Sequence, residues 1–172
     1  MNNPSSHGVH DRDFALILWW LITLGWATLI FYLSTATFAT WFSAWLLHQL
    51  LDLLRVNISA AAFAALHFLV RKFAHLTEYA MFSLLLYGAL SGGRQFAWRA
   101  RTAWQSVVIA ALYSLIDELH QSFVPGRTAS WTDCGIDAAG AALGMLFLYA
   151  SEWCVQAKAS RRAARKDSPA DI

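Results

Sequence analysis

From Phe14 to Leu51 the chain carries no charged residue. A helix that spans a membrane needs about 20 mostly apolar residues in a row. A soluble core has no room for so long a stretch of this kind. The rest of the composition agrees: of 172 residues, 58% are hydrophobic and 14% charged, against about 25% charged in an ordinary soluble domain. A disordered chain, a soluble enzyme and a disulfide scaffold are thereby excluded. Cys134 and Cys154 lie 20 residues apart on one expected helix, or about 30 Å, and read as packing residues.

The sequence therefore predicts an all-α, polytopic membrane helical bundle: four transmembrane helices plus an interfacial helical segment between the first and second. The spans fall at about 14–33, 71–90, 104–124 and 131–153. Trp131 and Trp153 stand at the two ends of the last one, where aromatic anchors belong. A cleaved signal peptide fits the first run poorly, because the run is too long and Asp11-Arg12-Asp13 is not a basic leader. The breakers Ser91-Gly92-Gly93 and Pro125-Gly126 separate the later spans.

Residues 37–70 are read as interfacial. Trp41, Trp45, His48, Asp52 and Arg55 share one helical face and Leu46, Leu50 and Leu53 another, a pattern suited to a helix lying in the interface. A fifth span over 37–54 is the alternative. Residues 1–13 form a short N-terminal segment, and the chain from 154 to 172 is a basic, solvated tail.

Topology follows from where the basic residues sit. Four spans put Arg12, the Arg94, Arg99 and Arg101 loop, and the tail bases Lys158, Arg161, Arg162, Arg165 and Lys166 on one side. That side collects nine of the 13 basic residues. The positive-inside rule then places both termini in the cytoplasm. Membrane lipids are the expected partners, and no nucleic-acid partner is expected.

The charges that remain inside are concentrated. On the second span His75 and Glu78 lie about 6 and 10 Å from the outer end. On the third, Asp117 and Glu118 lie about 10 Å and His120 about 6 Å from it. On the fourth, Asp133 begins the helix and Asp137 follows one turn later. Three helices thus place their most expensive residues in one extracytoplasmic slab. Each also gathers them on one face: Arg71, His75 and Glu78; Tyr113, Asp117, His120 and Gln121; Asp133, Asp137, Gly140 and Gly144. The Gly140 and Gly144 pair allows another helix to come close. Arg127 lies in the turn between the last two spans, above the slab.

A charge at mid-helix in a bilayer costs at least about 2.5–3.5 kcal/mol on the insertion scale, so such residues are functional candidates. Glu78, Asp117, Glu118 and His120 are the candidate catalytic groups. Arg71, His75, Gln121, Arg127, Asp133 and Asp137 are the candidate substrate-binding groups. With Lys72 included and the histidines neutral, the slab holds two more negative than positive charges. No cofactor is expected. A variant has a divalent metal held by His75, Glu78, His120 and either Asp117 or Glu118, an N/O donor set suited to zinc or manganese. The competing explanation is a purely structural network that ties the bundle together. Tyr113 and Gln121 in particular suit structural hydrogen bonding.

The run Arg71-Lys72-Phe73-Ala74-His75-Leu76-Thr77-Glu78-Tyr79 resembles the first motif of the VanZ-like family. The run from Tyr113 through Asp117-Glu118-Leu119-His120-Gln121 and Pro125-Gly126-Arg127 to Asp133 resembles its second, and Asp137 to Gly144 its closing motif. The family pattern usually has Asn where this chain has Asp137. The resemblance implies a small bacterial plasma-membrane protein acting on the cell envelope, its namesake being associated with low-level teicoplanin resistance. Three functions follow: a VanZ-type protein acting at the outer face and lowering glycopeptide access; an intramembrane enzyme acting on a lipid-linked or phosphate-bearing envelope substrate; or a non-catalytic protein that binds or transports an anionic lipid.

Overall fold

The computed structural model describes residues 5–35, 40–92, 98–124 and 130–166. Every regular element among them is α-helical: α1 (Ser5–Leu33), α2 (Thr40–Leu53), α3 (Ala60–Leu90), α4 (Ala100–Gln121) and α5 (Trp131–Lys166). The all-helical architecture is the one the sequence dictates.

Three helices extend beyond the spans expected from the sequence. The sequence predicts an interfacial segment ending at Val70 and a separate span beginning at Arg71. Instead α3 runs unbroken from Ala60 through both. Its alanine-rich start contains no breaker, and the Ser59 side chain caps it by accepting the Ala62 N–H at 3.2 Å, which satisfies one of the orphan donors at a helix start. Similarly, α5 continues through the basic tail to Lys166, and α1 begins at Ser5, ahead of the apolar run. Within the stretch read as one interfacial segment, α2 and α3 are separate helices, and between them Arg55 turns the chain with a positive φ of 54°.

α3 is the centre of the bundle, packing on α5 most extensively and also on α4, α1 and α2. Two glycines explain the tight fit to α5. A Cβ on Gly140 would run into the Leu76 carbonyl, and one on Gly144 would meet the Ala80 carbonyl and the Ser83 hydroxyl. Ser83 Oγ donates to the Ala141 carbonyl at 3.0 Å across the same seam. The contacts advance together along both chains, so α3 and α5 are parallel. Thr23 donates to the Leu85 carbonyl and Trp26 Nε1 to the Glu78 carbonyl, so α1 runs antiparallel to α3.

The core is modest: Ile30, Tyr79, Phe82, Leu86, Ala110 and Ala141 form one cluster. Outside it, large apolar side chains lie open, among them Ile17, Leu21 and Leu24 of α1 and Leu146 and Phe147 of α5. Apolar surface on this scale is untenable in water and is what a lipid environment accepts. Among the described residues, the helical stretches Asp13–Leu33 and Trp131–Arg162 are long and apolar enough to cross a membrane.

Candidate functional site

The polar residues meet at one end of the bundle. This end is made by the C-terminal ends of α1 and α4, the start of α5 and the α3 turns around Lys72 to Glu78. Lys72 forms an ion pair with Asp133. One turn further along both helices, His75 Nδ1 lies 3.1 Å from Asp137 Oδ1. The other oxygen of Asp137 accepts the Ser114 hydroxyl of α4 at 2.6 Å. A carboxylate that is 1% exposed is thus held by groups from two other helices, which is how buried charge becomes tolerable.

Asp117 anchors a second group. Its Oδ2 accepts the Ser34 hydroxyl from the end of α1 at 2.7 Å and the Gln121 side-chain amide at 2.9 Å. Tyr113, one turn away, donates to the Ala27 carbonyl at 2.7 Å. Tyr113 and Gln121 are thus both hydrogen-bonded within the bundle. Glu118, the neighbour of Asp117, turns toward α5 and accepts the Ser130 N–H on Oε2 at 2.7 Å. Its Oε1, like Asp117 Oδ1, is buried without a hydrogen-bond partner among the described residues.

The structure thus brings His75, Asp117, Glu118, Gln121, Asp133 and Asp137 to one end, each in a defined contact. His120 sits differently, with its ring against Phe31 at 4.4 Å between centroids. Arg71 and Glu78 both have interaction partners. Arg127 lies outside the described residues, as does Arg94. His48 and His67 have other partners, the first stacked on Phe63 and the second bonded to Ser43. No three His, Cys, Asp or Glu side chains among the described residues are grouped so as to hold a metal ion. The set His75, Glu78, Asp117 or Glu118, and His120 therefore does not form a ligand shell here.

Three contributing residues escape a search for charge on one helical face. Lys72 is off the Arg71, His75 and Glu78 stripe, yet it is the α3 cation that reaches Asp133. Ser114 precedes Asp117 by one helical turn, which is a usable signal, whereas Ser34 offers none.

Beside Glu118 a cavity of about 440 Å³ opens between α4 and the start of α5, lined by Leu115, Glu118, Leu119, Ser122, Ser130 and Trp131. Its volume falls within the range of about 300–1,000 Å³ common for ligand sites, which are likewise mostly apolar with a few polar groups.

An all-helical bundle with lipid-suited outer faces and buried carboxylates at one end defines a helical membrane protein with a polar centre. The chain belongs to the VanZ/LLP1 family, whose model matches residues 19–152. That span contains every polar residue named above as part of the polar end. Membership links it to the VanZ-like proteins of teicoplanin resistance. Comparison with curated proteins and with solved structures found no match.

Proposed function

We propose that the protein works at the outer face of the bacterial plasma membrane, as a four-span bundle with both termini in the cytoplasm. Its polar end engages an envelope lipid or lipid-linked precursor, and this lowers access of a glycopeptide such as teicoplanin to its target. The observation that carries the reading is the gathering of Asp117, Glu118, Asp133 and Asp137, all buried, at one end of the bundle. Buried carboxylates in a membrane helix bundle are costly unless used. Expression in a susceptible host tests it. Reduced teicoplanin susceptibility that is lost in Glu118→Gln supports the reading, and unchanged susceptibility with wild type overturns it.

A second reading, an intramembrane enzyme, draws on one feature: Glu118 lines a cavity and keeps one buried carboxyl oxygen that has no partner among the described residues. A buried carboxyl so placed can serve as a general acid or base. Here Arg71 and Arg127 would hold a phosphate or carboxylate of the substrate in bidentate fashion. The two readings differ in whether the lipid is changed. A lipid or precursor altered in cells carrying wild type, but not in cells carrying Glu118→Ala or Arg127→Ala, selects the enzyme. Unaltered lipids with a retained phenotype select binding.

A further inference from the structure

The two innermost aspartates of the polar end are not equivalent. Asp137 has a donor facing each oxygen, His75 Nδ1 at 3.1 Å and the Ser114 hydroxyl at 2.6 Å, which is what an ionised carboxylate needs. Asp117 has both its donors, Ser34 and Gln121, on Oδ2. Its Oδ1 is buried with no hydrogen-bond partner among the described residues, and neither ion pair found among them includes it. As an anion Asp117 would leave a charged oxygen bare in the interior, a costly state for a buried group.

A second orphan lies nearby. Tyr79 is 1% exposed, and its hydroxyl too has no partner among the described residues. That hydroxyl lies beside Ser114 and within electrostatic range of both Asp117 and Asp137. As an acid, Asp117 carries a proton on Oδ1 that needs an acceptor, and Tyr79 Oη is an unused one. The Tyr79 proton needs an acceptor in turn. Ser114 Oγ has lone pairs to offer, since its own proton goes to Asp137.

We propose that the polar end binds one proton on a relay between the two aspartates. Asp117 Oδ1–H donates to Tyr79 Oη, Tyr79 O–H to Ser114 Oγ, and Ser114 O–H to Asp137 Oδ2. Transfer along the chain breaks three O–H bonds and forms three, each proton advancing by one oxygen. Asp117 is then the carboxylate and Asp137 the acid, with no co-reactant and no change in net charge. The carboxyl oxygens are closed to water, but the His75 side chain is 14% exposed and is the point of exchange with the outside. Charge balance agrees. With His75 protonated as the partner of Asp137 and Asp117 neutral, the two excess negative charges of the slab are cancelled. The relay is independent of which lipid the site engages, and gives it a stored proton under either reading of its function.

Infrared spectroscopy of the purified full chain in lipid bilayers tests the relay. At pH 7 an ordinary aspartate, with a pKa of about 3.9, is ionised. Wild type is nevertheless expected to show the C=O band of a protonated carboxyl, and Asp117→Asn to lose it. Tyr79→Phe keeps the ring and removes the hydroxyl. There the band is expected to move to higher frequency, as the acid loses its acceptor, and to take up deuterium from heavy water more slowly. Ser114→Ala breaks the chain one link further on, and is expected to slow deuterium uptake without moving the band. Should Asp117→Asn fail to fold, the shift in Tyr79→Phe still identifies the acid. Glu118 Oε1 is bare as well, so Glu118→Gln is the control and should leave the band in place. No such band in wild type overturns the proposal, as does an unchanged band in Asp117→Asn or its loss in Glu118→Gln instead. A band that neither moves nor exchanges more slowly in Tyr79→Phe overturns the relay. Neither result bears on a teicoplanin phenotype, which tests the proposed function separately.

Discussion

His75 and Asp137 face each other at 3.1 Å from two parallel helices, one turn along from the Lys72–Asp133 ion pair. The two pairs are successive rungs, because residues three or four apart lie on the same face of each helix. The rungs lead directly to the glycine seam, where Gly140 meets the Leu76 backbone. The charged pairs and the close backbone approach therefore depend on a single register between α3 and α5. A slip of either helix would separate both pairs and drive side chains into the backbone of the other.

Asp137→Asn is expected to fold, and Asp137→Ala to be severely destabilised. Asn keeps a carbonyl oxygen for the Ser114 hydroxyl and the shape of the site. Ala leaves both Ser114 and His75 without their partner in a buried position, a loss on the order of 3–5 kcal/mol for a broken buried pair. Thermal unfolding of the two variants in detergent is the measurement. A Tm for the Ala variant equal to that of the Asn variant would show that Asp137 is not braced as described.

Gly140→Ala is expected to destabilise the bundle by about 1–3 kcal/mol, the usual range for overpacking, because the obstructing group is the Leu76 backbone and cannot rotate away. At Gly135, on the same helix, a Cβ would enter open space, with nothing within 4 Å. Gly135→Ala should thus be neutral or stabilising by up to about 1 kcal/mol through helix propensity. The contrast controls for the chemistry of the change. Equal effects of the two substitutions would contradict the close seam.

The helices and the slab are legible in the sequence because each leaves a periodic trace: apolar runs for the one, and Asp117, Glu118, Asp133 and Asp137 at matching depths for the other. The glycine pair is legible for the same reason, since its spacing implies a helix contact. What the sequence withholds is the pairing. Lys72 and Arg71 are adjacent cations, and only the rotation of α3 against α5 decides which meets Asp133. Ser34 ends an apolar helix and has no periodic companion, so nothing in the sequence points to its bond with Asp117. The start of α3 is hidden because its first turns are alanine-rich, and such a stretch serves equally well beside or within a span.

Reversing the Lys72–Asp133 pair should restore part of what either single reversal removes. Lys72→Asp places two carboxylates together, and Asp133→Lys two ammonium groups, at side chains 21% and 9% exposed. Each single variant is expected to lower Tm, and the double variant to recover only part of the loss. Asp133 lies in the first turn of α5, where an anion is favoured over a cation by about 0.3–1 kcal/mol, so the reversed pair keeps that deficit. Unfolding curves of the four proteins give the coupling directly. A double variant no more stable than the worse single would show that the pair contributes nothing through charge.

The last prediction concerns orientation. The helix directions put the C-terminal ends of α1 and α4 and the start of α5 at the polar end, whereas Arg99, Arg101, Lys158, Arg161 and Arg162 lie toward the other. Basic residues near the ends of spans are retained in the cytoplasm, so the polar end is expected to face outward. Cys154 lies toward the basic end and is exposed, and Thr132 lies toward the polar end and is exposed. In intact cells a membrane-impermeant maleimide should therefore label Thr132→Cys, made in a background with Cys134 and Cys154 replaced by serine. It should fail to label Cys154 in the Cys134→Ser variant until the membrane is permeabilised. The opposite pattern would put the carboxylates of α4 and α5 in the cytoplasmic leaflet and remove the outer-face function with them.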